Sequence, residues 1–161
     1  MIKSAPDEMT EVFTSCGGQL WRSLLAASAG RQDIADDITA EAFSQYLKHR
    51  DTVRDPLAYM FRVAYRLLAK ELALEKRQVP RSPDRVEAAH AQSVLSPMLT
   101  DALLGLSVEQ RFAVVLHYFL DYTVSEVARV TGSSVPAVKV RLHRARKQLR
   151  EALPDMGVHD A

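Results

Sequence analysis

The chain has 161 residues, 47% apolar and 25% charged, the balance of a globular protein rather than a disordered or fibrous one, and enough for one ordinary domain or two small ones. A formal net charge of +1 selects no partner, but it hides two basic blocks: residues 57–81 carry 6 basic and 2 acidic groups, and residues 132–150 carry 6 and none. The lone Cys16 excludes an internal disulfide, and no apolar run approaches the roughly 18 residues that cross a bilayer.

The pattern is helical almost throughout, without clean strand alternation or an Asn-Gly or Asp-Gly hairpin turn. A first helix is expected over about Asp7–Ala29, burying Val12, Phe13, Leu20, Leu24 and Ala27, with Gly17 and Gly18 loosening its middle. A second starts near Asp33 as its cap and runs to about His49, with Ile34, Ile38, Ala42, Phe43 and Tyr46 as an apolar stripe. The polar break 49–54 follows. Asp55 then caps a third helix with Pro56 in its first position, where a missing N–H does no harm. Leu57, Phe61, Ala64, Leu68 and Leu72 mark its buried face, while Arg62, Arg66 and Lys70 recur at four-residue intervals on another.

From Glu75 to Pro97 the prolines Pro80, Pro83 and Pro97 interrupt any long helix, leaving at most a transient one over Arg85–Leu95; this reads as the linker. Beyond it, Ser107-Val-Glu-Gln110 fits a capping box, in which the hydroxyl takes an orphan N–H and the Gln returns to the backbone of the Ser. It opens a helix expected to bury Phe112, Val115, Leu116 and Phe119. Thr123-Val-Ser-Glu126 is a second box, heading a short helix with Val124, Val127, Ala128 and Val130. Gly132 supplies the positive φ that ends it, and Ser134 caps the last helix, whose apolar stripe is Val138, Leu142, Ala145 and Leu149.

A short helix, a Gly turn and a second helix form a helix-turn-helix, and the second one is strongly basic. Its first turns belong in a major groove and its flanking cations on phosphates. The duplex-binding set is therefore Pro136, Ala137, Lys139, Val140, His143 and Arg144 on the groove side; Arg141 and Lys147, counted with it, are like Arg146 and Arg150 backbone clamps or local ion-pair partners. The fold class expected is all-α: two small helical domains joined by a flexible linker, the C-terminal one a helix-turn-helix. The divisions are 1–78, a linker 79–97, 98–153, and a solvated tail 154–161 begun by Pro154. A weaker reading lets Asp155 and Asp160 compete for the basic helix.

Three stretches, Leu106-Ser-Val-Glu-Gln-Arg111, Tyr122-Thr-Val-Ser-Glu-Val-Ala128 and Val138-Lys-Val-Arg-Leu-His-Arg-Ala-Arg146, resemble the promoter-binding C-terminal region of bacterial RNA polymerase sigma factors, in the extracytoplasmic-function (ECF) group. More loosely, Ala35-Asp-Asp-Ile-Thr-Ala-Glu-Ala-Phe43 is similar to the segment that binds the polymerase clamp, and Ala58-Tyr-Met-Phe-Arg-Val-Ala64 to the helix that opens the proximal promoter element. The resemblance implies a promoter-specific initiation subunit that docks on core polymerase at clamp and flap and grips promoter DNA both as duplex and as single strand. It implies polymerase contact through Asp37, Glu41 and Gln45, and proximal-element contact through His49, Arg50, Arg54, Tyr59, Arg62 and Arg66, with the loop His49–Asp55 helping to hold a flipped base. It also implies an anti-sigma partner. This chain departs from the family pattern at Ala40, where Gln is usual, at Arg66 and Lys70, where Asn and Asp are usual, and at Tyr59, where Trp is usual. Extra cations strengthen phosphate contact, not base discrimination.

Two other classes fit parts of the chain: a helix-turn-helix regulator that binds duplex without polymerase, and a sigma-like module needing a second protein. An enzyme fits least, for Asp36-Asp37 sits at a helix start where acids are favoured anyway. No catalytic triad or phosphate loop is visible, and the histidines His49, His90, His117, His143 and His159 lack metal-ligand spacing. No cofactor, metal or membrane insertion is expected. The N-terminal Met1-Ile2-Lys3-Ser4 is unlike a secretory leader, so the expected location is the cytoplasm.

Overall fold

The computed structural model describes residues 5–78 and 93–153; the linker 79–92, with most of the Arg85–Leu95 segment, and the tail from Pro154 with Asp155 and Asp160 lie outside the described residues. Among the described residues there are seven α-helices and no strand, in two clusters. The first holds α1 (Ala5–Ala27), α2 (Gln32–His49) and α3 (Pro56–Gln78), with a single 3₁₀ turn at Arg50–Thr52. The second holds α4 (Pro97–Leu104), α5 (Val108–Val114), continued by a wider π-type turn at Val115–Phe119, then α6 (Val124–Thr131) and α7 (Val135–Ala152).

In the first cluster, side chains spaced three and four apart meet in one core: Leu20 and Leu24 of α1, Ile34, Ile38 and Ala42 of α2, and Phe61, Ala64 and Leu68 of α3. Gly17 and Gly18 do not interrupt α1, which runs straight through them. Phe13 departs from expectation. It is exposed at the helix edge, its ring edge-on to Phe43 at 5.2 Å. Asp33 does not cap α2 either: the N-cap is Arg31, with no side-chain hydrogen bond to the helix. Asp33 lies in the first turn and takes two bonds from the Arg31 guanidinium, the nearer at 2.8 Å, which holds its carboxyl below the usual range. Asp55 does cap α3, its Oδ1 accepting from the Ala58 N–H at 3.1 Å.

The second cluster contains one helix that the prolines concealed. Ser96 and Pro97 start α4 rather than block it, Ser96 Oγ accepting from the Leu99 N–H at 3.3 Å. Pro97 is tolerated because the first turn has no internal partner for its N–H. Both capping boxes form with both bonds made. The widened π-type turn after α5 adds a residue to the register and rotates Phe119 outward, so it is 73% exposed and not part of the core, while Val115 and Leu116 remain buried.

The two clusters are packed together. Phe61 of α3 meets Tyr122 edge to face at 6.1 Å, and Tyr65 meets Phe112 at 5.1 Å. The segment leading into α4 lies on the α1–α2 turn: Arg31 and Ser93 form an antiparallel bridge, and the Val94 N–H donates to the Gly30 carbonyl at 3.0 Å. Gly30 is required twice here. Its φ is +86°, and an added Cβ would stand 2.0 Å from Ser93 Oγ.

Candidate promoter-DNA interface

The helix-turn-helix is positioned by short-range chemistry. Thr123 Oγ1 accepts from the Glu126 N–H at 3.1 Å, and the Glu126 carboxylate accepts from the Thr123 N–H at 2.7 Å. Hydrogen bonding of the carboxylate to Thr123, its backbone N–H first and then its side chain, lowers the pKa of Glu126. Gly132, at φ +64°, ends α6 in the left-handed region, and Ser134 Oγ takes the Ala137 N–H at 3.2 Å to start α7. Val138, Leu142 and Ala145 seat α7 on the core, which turns the rest of its circumference outward.

Of the residues assigned from sequence, Pro136, Lys139, Val140, His143, Arg144 and Lys147 are exposed on α7, and Ala137 is half-buried. Val140 is 47% exposed, an apolar patch inside a cationic strip. Among the described residues no carboxylate lies within ion-pair distance of Lys139, Arg144 or Lys147. Like charges crowded on one helix face repel, and an anionic polymer is the partner that relieves this. Arg141 sits differently. It is half-buried, and its guanidinium donates to Ser133 Oγ in the turn; Thr131 Oγ1, whose proton goes to the Val127 carbonyl at 2.8 Å, accepts from the same Ser133 hydroxyl at 3.2 Å. Arg146 donates to Tyr118 Oη at 2.7 Å.

On the first cluster, His49, Arg50 and Arg54 are exposed around the 3₁₀ turn, and Arg62 and Arg66 are exposed along α3. Tyr59 is half-buried. His49 Nδ1 donates to the Gln45 carbonyl at 3.0 Å and lies 3.3 Å from Tyr59 Oη. A ladder of rings runs Phe13, Phe43, Tyr46, Tyr59, His49, with successive centroids 5.2 to 6.4 Å apart. Tyr46, Arg50 and Asp51, with Glu8 and Met9 of α1, line a cavity of about 230 Å³ beside that ladder. The sequence reading missed the ladder as a unit, although its α2 members are spaced three residues apart and Tyr59 follows on α3.

Asp37, Glu41 and Gln45 fall at four-residue spacing on one outward face of α2, with Gln45 Nε2 donating to Glu41 Oε1 at 3.0 Å. Asp36, one residue earlier, is engaged internally, accepting from Trp21 Nε1 at 2.7 Å. The structure thus separates the adjacent acids: Asp36 holds α1 to α2, and Asp37 faces outward. Among the described residues no group of three or more His, Cys, Asp or Glu side chains is placed to hold a metal, and no helix is long and apolar enough to cross a membrane.

A helical chain with a basic helix-turn-helix on one cluster and an aromatic, cationic face on the other has the build of a DNA-binding protein. Residues 97–149 match the family described as Sigma-70, region 4. The ECF RNA polymerase sigma factor SigL of Mycobacterium tuberculosis is 27% identical over 166 residues, spanning 93% of this chain and 91% of SigL. The RNA polymerase sigma-E factor of Streptomyces coelicolor is 30% identical over 142 residues, spanning 82% of this chain and 76% of that protein. Against BldN of the same organism, an ECF sigma factor 29% identical to it, the chain spans 53% of the relative's length. The fold agrees with the sigma factor RpoE of Bartonella quintana, solved in complex with the anti-sigma factor NepR, with a TM-score of 0.74 at 18% identity over 92% of this chain and 98% of that one. The chain belongs to the ECF sigma factors of RNA polymerase, the subunits that confer promoter-specific initiation. A duplex-binding regulator independent of polymerase is not favoured, because the relatives extend over both clusters.

Proposed function

We propose that the two clusters divide promoter recognition between duplex and opened DNA, as domains 1–78 and 98–153 tethered by the linker. The observation that carries this is the exposed trio Lys139, Arg144 and Lys147 on α7, with no carboxylate of the described residues in ion-pair distance, held outward by a core stripe on the same helix. Lys139, Val140, His143 and Arg144, with Pro136 and Ala137 at the helix start, read the upstream element in the major groove. Lys147 and Arg141 hold phosphates beside it. On the first cluster, Tyr59 and His49 offer ring faces to unpaired bases, and Arg50, Arg54, Arg62 and Arg66 track the backbone, since stacking and cations are what single strands require. The cavity beside Tyr46 and Arg50 supports the assignment of a flipped base to the loop His49–Asp55.

Asp37, Glu41 and Gln45 bind the polymerase clamp, and the second cluster binds the flap. The polymerase performs the chemistry, so the chain itself is not an enzyme and needs no cofactor. It works where the polymerase is, in the cytoplasm. An anti-sigma factor restrains it, a proposal supported by the solved complex of RpoE with NepR. The test is transcription with purified core polymerase on a genomic promoter library, with sequencing of transcript starts. Promoter-specific starts that vanish when Lys139 and Arg144 are both changed to Ala are expected; absence of any specific start with the unaltered chain refutes the reading.

A further inference from the structure

Val140 is the one large apolar side chain exposed on α7 among the described residues, 47% open to solvent in the second turn of the helix. Its exposed neighbours Lys139, His143 and Arg144 are polar or cationic. The fold itself does not ask for a valine there: a β-branched residue is a poorer helix former than Ala, Lys or Arg, and an exposed one has no core contact to offset that. Its direction is set by the core stripe. Val140 lies two residues after Val138 and two before Leu142, both buried, so at about 100° per residue it stands about 200° around the helix from each. It therefore points away from the core, at the crest of the outward face. Pro136, one turn earlier, shares that direction, and Lys139 and Arg144 stand on either side of it.

We infer that Val140 reads the 5-methyl group of a thymine, so that one position of the upstream element is specified by an apolar contact. The inference rests on the groove assignment of α7 above. A side chain at the crest of a helix lying in the major groove meets base edges, whereas side chains on its flanks reach toward the phosphates. Val140 has neither donor nor acceptor to offer those edges, and a polar edge pressed against it would lose water without gaining a hydrogen bond. Of the groups that the base pairs display in the major groove, only the thymine methyl is apolar. The stiffness of valine suits the task as well. In a helix its χ1 has one strongly preferred rotamer, so the two Cγ methyl groups are held in place with little entropy left to lose. Lys139 and Arg144 supply attraction to an anionic duplex of any sequence, and Val140 adds a choice that charge cannot make.

The test uses the full chain assembled with core polymerase, and duplexes carrying the upstream element that this complex selects from a random library. Each thymine of the element is replaced in turn by deoxyuridine, which keeps the hydrogen-bonding edge and removes only the methyl group. One replacement is expected to weaken binding about fourfold in competition, the worth of one buried methyl group, and the others to change it little. Val140→Ala removes both Cγ methyl groups from a surface position and improves helix propensity, so the fold is retained. With that variant the thymine duplex is expected to bind more weakly than it does to the parent, and the uracil penalty at the sensitive position to disappear. Val140→Ile keeps the branched apolar tip and is expected to keep the penalty. A selected element in which no thymine methyl matters overturns the inference and leaves the promoter reading standing, as does a uracil penalty of equal size in the parent and in Val140→Ala. A complex that selects no upstream element at all overturns both.

Discussion

The two clusters rely on helix capping to different degrees. In the C-terminal one, α4, α5 and α6 have 8, 7 and 8 residues, too short to persist alone, and all four helices open on a Ser or Thr hydroxyl that accepts from the N–H three residues on. In the N-terminal cluster the helices run to 23, 18 and 23 residues, and α2 begins on Arg31 without any side-chain cap. A long helix can carry enough buried face to do without, as α2 does, although Asp55 caps α3 and Ser134 the 18-residue α7; the three short ones need their ends satisfied chemically. The difference also suits the task. The recognition helix proposed at α7 must be held at a set angle, which caps and a left-handed Gly provide, whereas the polymerase-docking face proposed on α2 needs only an outward stripe on a stable rod.

The largest expected effect tests whether the clusters are independent. Phe61→Ala removes a fully buried ring that also touches Tyr122, and should cost about 3–5 kcal/mol in urea unfolding. Hydrogen exchange should show lost protection on both sides of the interface; a loss confined to α1–α3 would mean that the clusters unfold separately. Arg144→Ala comes next. If the side chain meets a guanine, binding should weaken by about 1–3 kcal/mol and preference relax at one base pair, as a competition assay on permuted sites would read. An equal loss on every sequence would make it a phosphate contact.

Gly132→Ala isolates backbone strain, because nothing lies within 4 Å of an added Cβ and only the positive φ is penalised. About 1–2 kcal/mol is expected from thermal unfolding. Thr123→Ala should cost about 1 kcal/mol by loss of the cap, while Arg31→Gln should leave the helicity of α2 unchanged. The smallest effect is a pH dependence. The Glu126 pKa is lowered in the fold, so its contribution is present above the unfolded carboxylate pKa and fades as pH falls through the lower folded value. Amide shifts of Thr123 followed by NMR through the acid range should show it, and Glu126→Gln should flatten the profile.

Residues that act through their near neighbours were legible in the chain. Ser107 with Gln110, Thr123 with Glu126, Gly132 and Ser134 are recognised over spans of four residues, and the structure makes those bonds. The cationic strip was equally plain, since six cations and no acid between 132 and 150 cannot neutralise one another, although only the fold showed Arg141 turning to Ser133 and Arg146 to Tyr118. Phe119 was misread because a wider turn changes which residue faces the core, and helical periodicity assumes a constant turn. Ser96-Pro97 was misread as a barrier because proline both ends helices and starts them, and only the chain that follows decides between the two.

Local chemistry in the sequence thus determined the helix starts, the Gly turn and the outward cations of α7, because each depends on backbone groups within one turn of the residue concerned. Tertiary structure alone decided which acid of the Asp36-Asp37 pair stays free, which aromatic rings join into a ladder, and where Arg111 goes. Nothing near position 111 in the sequence announces the Ala27 carbonyl. A buried guanidinium takes whatever acceptor the fold brings to it, and here the fold brings the end of a helix 84 residues away.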